Sequence, residues 1–143
     1  MANKLAIINS DLDSPRKAMA LIACIGQELK TEMTRKLKDT GLSLIQLDIL
    51  HTLSFAPEKC LTVNQIKSFM IDESPNVSRA LNKLMDAGLI EKKRNTEDQR
   101  IVHIHITAKG ETAHIDADKA LLSIEPTISQ TDADKLLALL KKL

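Results

Sequence analysis

The sequence predicts a mainly α protein carrying one small β-hairpin, an α+β arrangement. Two observations carry that reading. Helix-capping residues recur before runs of apolar residues spaced at three and four. That spacing gives way once to strict alternation, between Leu89 and Ile106, and then returns.

The elements follow in order. Ser14-Pro15 reads as an N-cap followed by proline at the first helical position. Ile22, Ile25, Leu29, Met33 and Leu37 form the apolar stripe behind it, and Gly41 stops the helix. At about 1.5 Å per residue this helix approaches about 40 Å. One small core does not cover that length, so part of the stripe is expected to meet a second subunit. Ser43 and Gln46 form a capping box ahead of Leu44, Leu47, Ile49, Leu50 and Leu53, and this helix ends near Ala56-Pro57. Thr62 and Gln65 form a second box, opening a short helix with Val63, Ile66 and Met70. Ser74-Pro75 repeats the cap-then-proline pattern. Val77, Ala80, Leu81, Leu84 and Met85 then make a full helical face, closed by Gly88.

Residues 89–93 read as a strand, 94–99 as a polar connection, and Val102, Ile104 and Ile106 alternate with His103 and His105 as a half-buried partner strand. Thr107 caps a further helix to about Ser123, interrupted at Pro126. Thr131 with Asp134 is read as the cap of the last helix, which carries Leu136, Leu137, Leu139, Leu140 and Leu143.

Composition narrows the function classes. The chain has 143 residues, the length of a single domain, 1–143. No apolar run is long enough for a membrane span, and Met1 to Ser14 lacks a signal-peptide core, so no membrane partner and a cytoplasmic location are expected. Two phenylalanines and no Trp or Tyr leave no stacking platform for single strands or for RNA-recognition sheets. A net charge of +1 means that any DNA binding must rest on local charge placement. Phosphate-binding glycine loops, nucleophile elbows and HExxH are missing, which argues against an enzyme. No cofactor is expected. His103 and His105 share a strand face, but the sequence sets no Cys or carboxylate beside them at ligand spacing, so no metal is expected. Cys24 and Cys60 read as reduced, mostly buried thiols, with a redox role as the alternative.

Residues 62–106 form a unit: short helix, tight turn, second helix, hairpin. This is a helix-turn-helix with a wing, and the second helix of such a unit lies in the DNA major groove. If Val77, Ala80, Leu81, Leu84 and Met85 face inward, then Asn76, Ser78, Arg79, Asn82 and Lys83 face outward. Arg and Asn are the side chains that bond guanine and adenine edges bidentately. Arg94 and Arg100 bracket the wing loop. A tip arginine suits a narrow minor groove, and Asp98 stands close enough to hold the Arg100 guanidinium.

The stretch from Leu61 to Gly110 resembles the multiple antibiotic resistance regulator (MarR) family. The most specific match runs from Asp98-Gln99-Arg100 through Ile101-Val102-His103-Ile104-His105-Ile106 to Thr107-Ala108-Lys109-Gly110. It follows that family's wing signature of Asp-x-Arg, alternating apolar residues and Thr-x-x-Gly. Ser78-Arg79 and Gly88-Leu89-Ile90 stand where the family's recognition helix and first wing strand place them. Gln99 departs from the pattern, where a second basic residue is frequent.

The resemblance implies a winged helix-turn-helix lobe at 42–107 and dimerisation helices at 14–40 and 108–143. It implies a homodimer on a palindromic double-stranded operator, repression more often than activation, and a small-molecule effector in a cleft between lobe and dimer helices. Two alternatives stand beside it: a winged-helix protein-interaction module that does not bind DNA, and a thiol-based redox regulator.

Overall fold

The computed structural model describes residues 4–70, 74–94 and 101–142. Among these residues seven α-helices run in order: α1 (Lys4–Ile8), α2 (Ser14–Lys36), α3 (Leu44–Phe55), α4 (Val63–Phe69), α5 (Ser74–Asp86), α6 (Ala108–Leu122) and α7 (Gln130–Leu140). Three strands accompany them: β1 (Cys60–Thr62), β2 (Ile90–Arg94) and β3 (Val102–Ile106).

Both predicted capping boxes form, on α3 through Ser43 and Gln46 and on α4 through Thr62 and Gln65. Two other caps move. Asp13, not Ser14, caps α2, its carboxylate accepting from the Arg16 N–H, so Pro15 sits one position deeper in the first turn. Ser129, not Thr131, caps α7 by accepting from the Asp132 N–H. Ser129/Asp132 has the same spacing as Thr131/Asp134, and the earlier pair adds two residues of helix. The α2 helix ends at Lys36. A 3₁₀ turn, Lys38–Thr40, completes the expected length and closes on Gly41 at φ 72°. The short α1 helix was not expected; it lies on α2, with Lys4 bonded to Glu28 and Lys17 Nζ donating to the Ile8 carbonyl.

The expected hairpin is the larger part of a three-stranded antiparallel sheet in the order β1-β3-β2. The first wing strand is Ile90–Arg94, one residue later than its predicted span. The added strand β1 pairs Cys60 with His105 and Thr62 with His103. At three residues, it is too short to show alternation in sequence, and its partner lies more than forty residues away.

Leu50, Leu53, Ile66, Val77, Leu84 and Ile104 are fully buried together, so α3, α4, α5 and β3 share one core. The predicted inward face of α5 packs into it: Val77, Ala80, Leu81 and Leu84 are buried and Met85 is partly so. The terminal elements contrast with this. Met19, Ile22, Ile25 and Leu29 on α2 are exposed, as are Leu136, Leu137, Leu139 and Leu140 on α7. Among the described residues no helix is long and apolar enough to cross a membrane.

Candidate nucleic-acid interface

The α5 helix presents its polar residues as a continuous surface. Asn76, Ser78, Arg79, Asn82 and Lys83 are all exposed. At about 100° per residue they fill one arc of the helix, opposite Val77, Ala80, Leu81 and Leu84. Within it Asn76, Arg79 and Lys83 form one row, and Ser78 and Asn82 a second. The first row borders the N-terminus of α3, where Ser43, Ile45 and Gln46 complete a shallow groove of about 240 Å³. Sequence reasoning did not single out Ser43 or Gln46 for this face. Their capping role was visible, but their position beside α5 is set by the packing of α3 on α5. Arg79 and Lys83 are exposed, and among the described residues no carboxylate pairs with either.

Arg94 ends β2 and is exposed. Glu91 and Lys93 pair with each other along the same strand at 2.6 Å, and that contact holds the Glu91 carboxyl below its usual range. Asp98 and Arg100 lie outside the described residues, so the proposed brace between them has no geometry here.

The β2–β3 hairpin and α5 are joined to α6 by one junction. Thr107 Oγ1 accepts from the Gly110 N–H at 3.0 Å, capping α6 as expected. The same hydroxyl donates toward the Gly88 and Leu89 carbonyls at 2.8 and 3.1 Å, and the Thr107 N–H donates to the Leu89 carbonyl at 3.0 Å. Lys109 Nζ donates to the Ala87 carbonyl at 2.8 Å, covering a carbonyl left open beyond α5. Gly88 turns the chain between α5 and β2 at φ 70°. The Thr-x-x-Gly signature is thus a clamp from the start of α6 onto the end of α5. A second link runs from α3 to α6. Glu111 on α6 accepts from Ser54 at 2.8 Å and pairs with Lys59 at 2.7 Å; these bonds, Lys59 first, lower its carboxyl below the usual range.

Cys24 is buried as expected, whereas the surroundings of the strand histidines and Cys60 depart from expectation. His103 and His105 are half-buried, and they do have a cysteine beside them. Strand β1 places Cys60 Sγ 3.4 Å from His103 Nδ1 and 3.3 Å from His105 Nε2. Partial burial, and then Glu58, raise the Cys60 thiol, against a smaller lowering by Lys93. Cys24 is buried on α2.

A cleft of about 680 Å³ lies between the lobe and α6. It is lined by Asp39 to Leu42 and Gln46 on one side, Ala87 and Leu89 on a second, and Lys109, Thr112, Ala113 and Asp116 on a third.

Known structures share this architecture. The chain superposes on apo MarR from E. coli with a TM-score of 0.77 at 20% identity, covering 94% of this chain and 98% of that one. It superposes on the transcriptional regulator BldR from Sulfolobus solfataricus with a TM-score of 0.69 at 22% identity, covering 94% and 99%. An organohalide-sensing transcriptional regulator solved with 2,4-dichlorophenol bound matches with a TM-score of 0.77 at 20% identity, covering 92% and 80%. At these identities the likeness is one of fold, and it is the winged-helix fold that the sequence predicted. No curated protein sequence matches the chain. Residues 32–117, more than half of the chain, match the family model of the transcriptional regulator SarA/Rot. That span runs from the end of α2 through the whole helix-turn-helix and wing into α6, and the chain belongs to the SarA/Rot family of transcriptional regulators, built on the winged-helix fold of the MarR regulators.

Proposed function

We propose that this regulator acts as a homodimer on an inverted-repeat DNA operator, as a repressor whose affinity is set by a small ligand. The observation that carries the reading is the exposed row of Asn76, Arg79 and Lys83 on α5, opposite a helix face buried in the core. In this reading Asn76, Ser78, Arg79, Asn82 and Lys83 contact the major groove and Arg94 the backbone. Arg100, braced by Asp98, enters the minor groove. Arg100→Ala then costs about 1–3 kcal/mol of DNA affinity without unfolding the protein. The reading assigns no catalytic role.

Dimerisation is supported by the exposed apolar residues of α2 and α7. The effector would occupy the cleft between lobe and α6, whose size falls within the roughly 300–1,000 Å³ of small-molecule sites. The dichlorophenol-bound neighbour gives an aromatic ligand as the first class to try. The raised Cys60 thiol weighs against a redox switch there, since the thiolate is the reactive form.

Selection from random duplex DNA at a fixed salt of about 0.1 M tests the reading, with Arg79→Ala in parallel. The expected result is an inverted repeat with half-sites about 10 bp apart, lost in the variant. Failure to enrich any sequence, with and without candidate ligands, removes the DNA-binding assignment.

A further inference from the structure

The sequence draws attention to His103 and His105 as a possible metal pair, but the fold gathers a different set. Three donor atoms converge where α3 passes α6. His114 Nε2 lies 3.0 Å from His51 Nδ1 and 3.1 Å from Asp118 Oδ2. His51 Nδ1 and Asp118 Oδ2 are 3.9 Å apart. Around a tetrahedral zinc with bonds of about 2.0–2.1 Å, neighbouring ligand atoms stand about 3.3–3.4 Å apart. The observed triangle brackets that edge. A cation could therefore sit about 2 Å from all three atoms with only small side-chain shifts.

Hydrogen bonding alone serves this geometry poorly. His114 Nε2 holds either one proton or one lone pair in the ring plane, yet it faces two partners. A single cation accepts both imidazole lone pairs and the carboxylate together. The side chains are also mounted as a ligand set. His114 and Asp118 stand four residues apart on one face of α6. His114 is buried, whereas His51 and Asp118 are half-open, which leaves an entry path and room for a water as fourth ligand. Phe55 packs on the His51 ring with centroids 4.7 Å apart and limits its swing.

We propose that His51, His114 and Asp118 form a site for a borderline divalent cation, zinc foremost, which staples the DNA-binding lobe to α6. Two imidazoles and a carboxylate suit Zn²⁺, Co²⁺ or Ni²⁺ better than the hard oxygen-seeking ions. The site is distinct from the cleft assigned to a small ligand and from the Cys60 cluster. Its consequence for DNA rests on the regulator reading above: α3 belongs to the lobe, α6 continues from the wing, and a bond between them fixes their relative placement. By linkage, zinc and DNA then alter each other's affinity by the same factor.

The test is a zinc titration of chelator-stripped full-length protein against a chromogenic competitor, with Co²⁺ as a spectroscopic probe. One equivalent per chain is expected, with intense visible bands of tetrahedral cobalt and no thiolate charge-transfer band. His51→Ala and Asp118→Asn, at half-exposed positions, each weaken binding at least about tenfold while the helical circular dichroism is kept. Cys60→Ser and His103→Ala leave it unchanged. No stoichiometric binding, binding indifferent to His51→Ala and Asp118→Asn, or binding lost in Cys60→Ser overturns the site. Zinc should shift affinity for a selected duplex in the wild type and not in the two variants. An unchanged affinity with one zinc bound overturns the staple. A protein that binds zinc as described but no duplex at all overturns the regulator reading instead, with the metal site standing.

Discussion

Gly110 shows how one residue ties α5, the β2–β3 hairpin and α6 together. A Cβ added there would be driven into the Leu89 carbonyl oxygen and would lie 2.8 Å from Ile106 Cγ1. The oxygen is backbone and already accepts from Thr107, so it cannot retreat without opening the clamp. Gly110→Ala should therefore destabilise the protein by about 1–3 kcal/mol, read as a lower urea midpoint. An unchanged midpoint would mean that the junction gives way freely. Glu111, the next residue, makes a prediction in pH. Its folded-state carboxyl is held low by Lys59 and Ser54, so the unfolded chain takes up its proton first as pH falls. Its contribution is thus present above the ordinary carboxylate range and is lost as pH falls through the depressed folded value. The stability gap between wild type and Glu111→Gln should be widest near neutral pH and shrink toward about pH 3.5. An equal gap at both ends would show that the ion pair is not its source.

At the scale of the element, α5 is the helix proposed to read DNA, and its two cations should be separable. Lys83→Ala is expected to weaken binding to all duplexes alike and to reduce the salt slope by about one per protomer, as for a phosphate contact. Arg79→Ala should instead cost about 1–3 kcal/mol and relax preference at one position of each half-site. Equal loss of sequence preference in both variants would dissolve the distinction. The α5 helix was legible from sequence because its signals are local: a buried row at helical spacing, a polar row opposite, and Gly88 after it. The capping boxes of α3 and α4 were legible for the same reason. Elements defined by distant partners were not. Strand β1 exists because Leu61 faces Ile104, and the His51–His114 contact joins positions 63 residues apart. Caps slipped where two residues competed, as Asp13 and Ser14 did, since both accept well from a first-turn N–H.

At the scale of the molecule, the described surface divides between a closed lobe and unclosed terminal helices. The core residues of α3, α4 and α5 exclude solvent almost fully, yet Leu29 on α2 keeps 48% of its surface exposed and Leu137 on α7 keeps 52%. We propose that these exposed apolar residues meet a partner, since contiguous apolar surface of this kind is uncommon on monomers. A second copy of the chain is the partner proposed for them, because a palindromic operator needs two recognition helices related by a two-fold axis. Wild-type protein at micromolar concentration should then sediment at twice 15.8 kDa, while Leu29→Glu combined with Leu137→Glu should sediment as a single chain. Since neither residue belongs to the buried core, the substituted protein should keep its helical spectrum. It should also lose most of its operator affinity, because each monomer addresses one half-site and forfeits the effective concentration that the second lobe supplies. A wild type that sediments at 15.8 kDa would remove the dimer, and with it the geometric reason for an inverted repeat.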